Sequence, residues 1–340
     1  MRRWQKGFVF LLVATLVFGM LTACGSKTSD NESGDSNADE KITIRVGDCD
    51  FAVWNAQFTV AYELGYFDEE FADENVTIEV YNFANGPAGN EAFTAGEIDF
   101  FNGSGDQPFV MGVSNNVPIT LLSVLNSQGR GNLIIVGADS GIDNIEDLKG
   151  KRIACGIGTQ QHKSWIEKLQ TVGLSEDDVE LVNLTSFSEQ YAAFTSGEID
   201  AFYANTFNFN SITDGSVKSI GDFGDVPSNC YLTARTDFVE KNPEITERFI
   251  KVLKRAQDWI DENPEESYKI LADKAGISVE EVKAANEATD LSIGLDDSVK
   301  QEVLDTYEFL KEQGTITVDI PAETLEKHID GTYVSKILEE

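Results

Sequence analysis

The chain has 340 residues, 26 of them basic and 59 acidic, for a net charge of −33. An excess of that sign excludes nucleic acid as a partner, because phosphate binding needs clustered Lys and Arg, and it reports solubility more than fold. Four widely spaced cysteines without a CxxC pair, and two histidines, give neither a disulfide framework nor a zinc site, so no metal or cofactor is expected.

In chain order, residues 1–23 read as a secretory signal: Arg2, Arg3 and Lys6, then the apolar run "GFVFLLVATLVFGM", then "LTAC" with small residues before Cys24. The run is short for a membrane span of about 20 residues. The cysteine at the cut resembles the bacterial lipobox, which implies a thiol that is acylated and anchors the chain to the extracytoplasmic face of the cell membrane. Residues 24–40, "CGSKTSDNESGDSNADE", contain no large apolar residue and read as an acidic, flexible tether. Without the first 23 residues, 23 basic residues face 59 acidic ones, a net −36, so the lipid and not the surface charge must hold the protein to a membrane.

From residue 41 the pattern is strand, helix, strand. "KITIRVGDCDF" alternates as a half-buried strand, "NAQFTVAYELGYFDEEF" is helical, "VTIEVYNF" is a strand, and "GPAGNEAFTAG" is a short helix closed by Gly96. "EIDFFNGS" and "PITLLSVL" are further strands, with a helix over "QPFVMGVSNN" between them. The same grammar restarts after "NSQGRG": "NLIIVGA", "KRIACGIG", "VELVNL", "EIDAFYAN", "VKSIGDF" and "NCYLTART" as strands, with helices over "TQQHKSWIEKLQTVG" and "SEQYAAFTSG". Strands alternating with helices predict parallel strands and right-handed crossovers.

One decapeptide occurs almost twice, "AFTAGEIDFF" at 92–101 and "AFTSGEIDAF" at 193–202. Each spans the last helical turn, a glycine cap and the next strand. Ala92, Phe93, Ile98 and Phe100 are expected in the core, with Glu97 and Asp99 around the turn. The repeat marks two lobes built alike.

After residue 237 only helices follow. Asn242 and Asn263 are expected as N-caps ahead of Pro243 and Pro264, Gly276 as a stop, and Ser278 with Glu281 as a capping box. The expected fold is α/β: two doubly wound lobes joined by a two-segment hinge near 128–134 and 230–236, with a C-terminal helical region packed on the first lobe. The expected bounds are 41–130 for the first lobe, 131–232 for the second, and 233–340 for the return and the helices.

Ligands of open parallel sheets bind beyond the carboxyl ends of the strands. The strand-end loops "DCDFAVWN", "NGSGDQ", "GIGTQQH" and "YANTFN" are therefore the candidate lining. Ser104 and Thr159 stand ready as N-caps, leaving Gly103, Gly105, Gly158 and Gln160 to offer backbone or side-chain donors to an anion. The same patterns serve plain helix capping, and they lack Walker A or complete GxGxxG spacing. Trp54, with Asp50, Phe51 and Asn55 beside it, is placed to stack on a ligand and receive an ammonium. Gln161 and His162 fall in the first turn of the next helix, where the imidazole either meets an anion or is solvated. No GxSxG, HExxH or Cys–His spacing appears, although Cys155 ahead of "GIG" is a conceivable nucleophile.

"TVAYELGYFDEEF", "AFTAGEIDFFNGSG", "VPITLLSVL", "IEDLKGKRIACGIGTQ", "FTSGEIDAFYAN" and "FVEKNPEITERFIK", in that order, resemble the nitrate/sulfonate/taurine family of ABC-transporter substrate-binding proteins, over residues 41 to 260. The resemblance implies a bilobed, type II periplasmic-binding-protein fold that closes on a small organic anion or zwitterion. It also implies docking to permease subunits, and through them an ATPase, with no catalysis; a monomer is expected. Family members often carry a Trp-Glu-Pro-like stretch after the second "GEIDA"; here "YANTFN" stands instead, with Asn205 and Thr206 at the mouth. A pyrimidine vitamin precursor or an aromatic acid, which suit Trp54 and Phe51, are the alternative ligands, and an enzyme on the same scaffold is the alternative function.

Overall fold

The computed structural model describes residues 42–339 except 50–52, 73, 84–85, 129–130, 158, 225 and 227. The signal, Cys24 and the tether therefore lie outside the described residues, as do Asp50, Phe51 and Gly158. The first lobe runs β1 (Ile42–Cys49), α1 (Ala56–Glu63), α2 (Tyr66–Glu70), β2 (Val76–Phe83), α3 (Gly86–Ala95), β3 (Phe100–Ser104), α4 (Asp106–Ser114) and β4 (Ile119–Ser127). The second runs β5 (Asn132–Gly137), β6 (Arg152–Cys155), α5 (Gln160–Gln170), β7 (Glu180–Asn183), α6 (Phe187–Thr195), β8 (Ala201–Asn205), α7 (Thr206–Asn210) and β9 (Val217–Asp222). The chain then returns through β10 (Asn229–Arg235) to α8 (Thr236–Lys241), α9 (Pro243–Glu262), α10 (Pro264–Ala275), α11 (Val279–Glu287), α12 (Asp297–Glu312), α13 (Ala322–Glu326) and α14 (Thr332–Glu339).

Two five-stranded sheets result, ordered β2-β1-β3-β10-β4 and β7-β6-β8-β5-β9. The expectation of purely parallel strands is corrected: β10 runs antiparallel to β3 and β4, and β5 to β8 and β9. The reason is where the chain crosses. It leaves β4 and β9 at their carboxyl ends and enters the other sheet from that same side, so the arriving strand must run backwards. The expected end of the second lobe at 232 is also corrected, because Asn229 to Leu232 already pair with Ser127 to Ser123 of β4. The crossings are thus 128–131 and 223–228, and they lie side by side, with the Gln128 N–H donating to Ser228 O at 2.9 Å.

The repeated decapeptide is a structural clasp. Gly96 (φ 69°) and Gly197 (φ 77°) close α3 and α6 in the left-handed region that glycine accepts without strain. Three residues on, Asp99 and Asp200 reach back to an arginine on the first parallel strand of their own lobe. Asp99 accepts from the Arg45 amide (2.9 Å), Nε (3.0 Å) and Nη2 (2.8 Å), while Arg45 Nη1 donates to Gly96 O at 2.6 Å. Arg152 repeats every contact: its amide (2.9 Å), Nε (3.1 Å) and Nη2 (2.8 Å) on Asp200, and Nη1 on Gly197 O at 2.9 Å. Asp99 is buried instead of merely rounding the turn, whereas Ala92, Phe93, Ile98 and Phe100 are core as expected.

The C-terminal helices share the first lobe's core. Phe249 of α9 stacks on Phe100 of β3 with centroids 4.1 Å apart, and Ile250, Leu253, Ala256 and Ile260 continue that buried face. Val299, Val303, Tyr307 and Leu310 of α12 pack with Phe109 and Ile119 in a second cluster. Asn242 and Asn263 stand at the N-cap positions of α9 and α10, but their side chains donate backwards, to Phe238 O (3.1 Å) and Trp259 O (2.9 Å). Each joins two helices without a linker, so its amide satisfies the end of the preceding one. Gly276 ends α10 in the left-handed conformation and the Ser278–Glu281 capping box is present.

Candidate functional site

Strand direction decides where the site sits. The parallel strands of both lobes end at one cleft, and the loops after β1, β3, β6 and β8 meet there around a cavity of about 470 Å³. Seven of the expected residues line it: Trp54, Asn55, Gly103, Ser104, Gly105, Gln160 and Asn205. The crossing segments add Gln128 and Ser228, and the start of β5 adds Asn132.

The local geometry explains each placement. Asn55 is buried at the start of α1, its Nδ2 donating to Asp48 Oδ1 at 2.5 Å, and the indole of Trp54 is left half-buried between the core and the cleft. Gly103 leaves no room for a side chain: a Cβ there would lie 2.5 Å from Cys49 Sγ. Ser104 is not the N-cap of α4. It ends β3, buried, with its hydroxyl donating to Gly105 O at 3.3 Å, and Gly105 takes the cap position in extended backbone. Thr159 does stand at the N-cap of α5, but its hydroxyl donates to Gly156 O at 2.5 Å and it does not line the cavity. The first turns of both helices nonetheless open on the cleft through Gly105, Asp106 and Gln160, so two positive helix ends converge on it.

Three further expectations are corrected. Gln161 accepts from Gln190 Nε2 at 2.9 Å inside the second lobe. His162 is fully buried, neither solvated nor at the cleft, packed edge-on against Phe309 of α12 at 5.4 Å. Thr206 donates to Gly131 O at 3.1 Å, bracing a crossing segment away from the cavity. Cys155 does not line the cleft either, and burial pushes its thiol up to about 12, which leaves it protonated and a poor nucleophile.

Sequence reasoning missed several lining residues. Cys49 and Cys230 put two thiols on the wall, and burial pushes the Cys230 thiol up to about 12, so it presents a soft, neutral surface. Asn102 is fully buried under the cavity with neither amide atom hydrogen-bonded. A buried orphan amide is costly, so Asn102 is a candidate ligand contact. Asn102, Asp106 and Tyr203 sit within loops that the sequence singled out, whereas Asn229 carries no sequence signal beyond a strand start. The described lining holds one carboxylate, Asp106, and neither Lys nor Arg. It is a site of amides, hydroxyls and helix starts.

Asp106 is compensated from below. Its Oδ2 accepts from Thr306 Oγ1 of α12 at 2.7 Å and lies 3.7 Å from Lys163 Nζ of α5. Glu302, one turn before Thr306, accepts from Asn229 Nδ2 (2.5 Å) and Tyr231 Oη (3.3 Å). Burial, then the charge of Asp106, push the Glu302 carboxyl up to about 7, against the opposing pull of Lys163. A carboxyl raised above its unfolded value destabilises the fold where it must ionise, so its cost is absent below about pH 4.5, grows through about pH 7 and is full above. Glu302→Gln is therefore expected to be more stable than the parent at pH 8, by up to ~3 kcal/mol, with the gap closing by pH 5. Urea unfolding of both proteins across that range checks it, and a gap that is constant with pH refutes it.

Two α/β lobes bridged twice, with their parallel strands ending at a shared polar cleft, define the periplasmic-binding-protein fold. A model of the NMT1/THI5 like family matches residues 55–267, and the chain belongs to that family. It is 26% identical over 334 residues to a Bacillus subtilis protein named for binding aliphatic sulfonates, covering 97% of each chain. It is 29% identical over 283 residues to the taurine-binding periplasmic protein of Escherichia coli, covering 76% of this chain and 87% of that one. The solved periplasmic aliphatic sulphonate binding protein SsuA of Escherichia coli superposes with a TM-score of 0.75 at 19% identity, over 85% of this chain and 98% of that one.

Proposed function

We propose that this protein is the extracytoplasmic solute-binding component of an ABC importer, capturing a small organosulfonate, taurine-like zwitterions foremost, by closure of its two lobes. The observation that carries the reading is the amide-lined cleft into which the starts of α4 and α5 both open without a cation among the described lining residues. Backbone N–H groups and helix ends hold a sulfonate by hydrogen bonding and dipole. A zwitterion also avoids the repulsion that a strongly acidic protein exerts on a net anion, a repulsion that physiological salt screens beyond about 8 Å. The names of the relatives support the same ligand class. Cys24 is the proposed lipid attachment point, the tether holds a monomeric receptor off the membrane, and permease subunits with their ATPase read the closed form.

Calorimetric titration with taurine, ethanesulfonate, nitrate, an aromatic acid and a pyrimidine tests this. The expected result is reversible, one-to-one binding of the sulfonates, with the ligand recovered unchanged by mass spectrometry. Binding of the pyrimidine or the aromatic acid alone moves the protein to the alternative ligand class, and a recovered product makes it an enzyme. Trp54→Ala is expected to weaken taurine binding about tenfold through lost stacking and the lost cation–π attraction to its ammonium. Because the indole also rests on the main core, the same substitution costs about 1–2 kcal/mol of stability, read from parallel thermal melts.

A further inference from the structure

Below the cleft, three buried ionisable side chains from three helices meet where the lobes touch. Lys163 belongs to α5 of the second lobe, three residues after Gln160, and only 2% of it is exposed. Its Nζ lies 2.9 Å from Glu167 Oε1 on its own helix and 3.7 Å from Asp106 Oδ2 across the cleft. Asp106 opens α4 of the first lobe, directly after Gly105, and Glu302 faces it from α12. Asp106 and Glu302 are 3% and 5% exposed, so neither acid is relieved by water here. Burial pulls the Lys163 ammonium down, yet Asp106, Glu167 and Glu302 together hold it above its ordinary value.

We propose that Lys163 is a positioning residue for lobe closure: its ammonium docks between Asp106 and Glu302 of the first lobe and so sets Gln160 opposite Ser104 and Gly105 across the ligand. The acids and the cation sit on different lobes, so the contact exists only when the lobes are together. Breaking a buried pair leaves an uncompensated charge, while making it returns little beyond its desolvation cost. Its value therefore lies in fixing one geometry. The helices that carry the pair are the two whose first turns line the cleft, which makes the docked pair and the assembled ligand site one event. A small-molecule ligand then adds its own differential affinity to a closed state that is already prepared.

The test does not depend on which ligand is bound. Spin labels on cysteines introduced at Asp68 and Asp139, both exposed and one on each lobe, report interlobe separation by double electron–electron resonance on the ligand-free full chain. A chain without the introduced cysteines fixes the background. Lys163→Met is expected to lower the population at the shorter separation at least about fivefold, and Asp106→Asn to do the same. Lys163→Met made in the Asp106→Asn background should add little. A distance distribution shared by parent and Lys163→Met overturns the proposal, and so do two substitutions whose effects simply add. Circular dichroism melts show that the variants are folded; if Lys163→Met fails to fold, Lys163→Gln takes its place with the same expected outcomes. Titration with taurine as the probe should then show affinity about tenfold weaker in Lys163→Met. An intact distance effect without taurine binding refutes the proposed ligand and leaves the docking role standing.

Discussion

Gly105→Ala should abolish most ligand capture while leaving the fold as stable as before. The new methyl meets nothing closer than Asn229 O and Pro108 Cδ, both at 3.8 Å, and the backbone at φ −100°, ψ −179° is extended, so alanine adopts it without strain. Two small effects on stability oppose each other: losing glycine at an N-cap costs a few tenths of a kcal/mol or more, and removing a glycine from the unfolded chain returns about 0.4–1 kcal/mol. The methyl instead occupies the cavity at the start of α4, where the ligand's acidic group is to lie. Overfilling a fitted site costs about 1–3 kcal/mol, roughly 5- to 150-fold in affinity. Gly103→Ala, two residues away, should fail in the opposite sense. Its Cβ would crowd Cys49 Sγ at 2.5 Å and the Phe101 ring at 2.8 Å, so it lowers stability by about 1–3 kcal/mol. Taurine titration and urea unfolding of both variants separate these outcomes. Unimpaired binding in Gly105→Ala would place the ligand elsewhere than the α4 start.

Asp99→Asn is expected to cost about 3 kcal/mol of stability, at the lower end for breaking a buried ion pair, and Asp200→Asn about 1 kcal/mol. The two aspartates make the same bonds to Arg45 and Arg152, so the difference rests on exposure and on a second arginine beside Asp99. The Asp99 side chain is 2% exposed and also faces Arg235 Nη2 at 3.3 Å, whereas that of Asp200 is 30% exposed beside a similarly open arginine. An asparagine at 99 turns one acceptor into a donor facing two guanidinium groups that cannot be neutralised. Denaturant midpoints of the two variants measure the gap; equal losses would mean that exposure does not govern these clasps.

Much of the fold was legible in local signals. Apolar alternation, glycine stops such as Gly96, Gly197 and Gly276, and the Ser278–Glu281 box depend on neighbours within a few residues, which is why strands and helices fell where the chain predicts them. The decapeptide repeat showed two lobes of like design. What the clasps do was not legible, because Arg45 and Asp99 are 54 residues apart and meet only when β1 and β3 pair. Strand direction at β5 and β10 was misread for a related reason: it depends on which end of a sheet the chain crosses from.

The candidate site divides along the same line. The glycine-bearing loops after β3 and β6 could be picked out because turn residues before a helix are a local pattern. By itself, then, the sequence determined the two-lobe plan, the strand-end loops and the acidic character of the chain. Tertiary structure alone decided which of those residues face the ligand. His162 and Gln161 belong to packing, Asn102 and the thiols of Cys49 and Cys230 belong to the wall, and Lys163, with no distinguishing neighbour in sequence, is buried against Asp106 and near Glu302. Side chains brought together from residues 49 to 230 are selected by where sheets and helices converge, and no window of neighbouring residues contains that information.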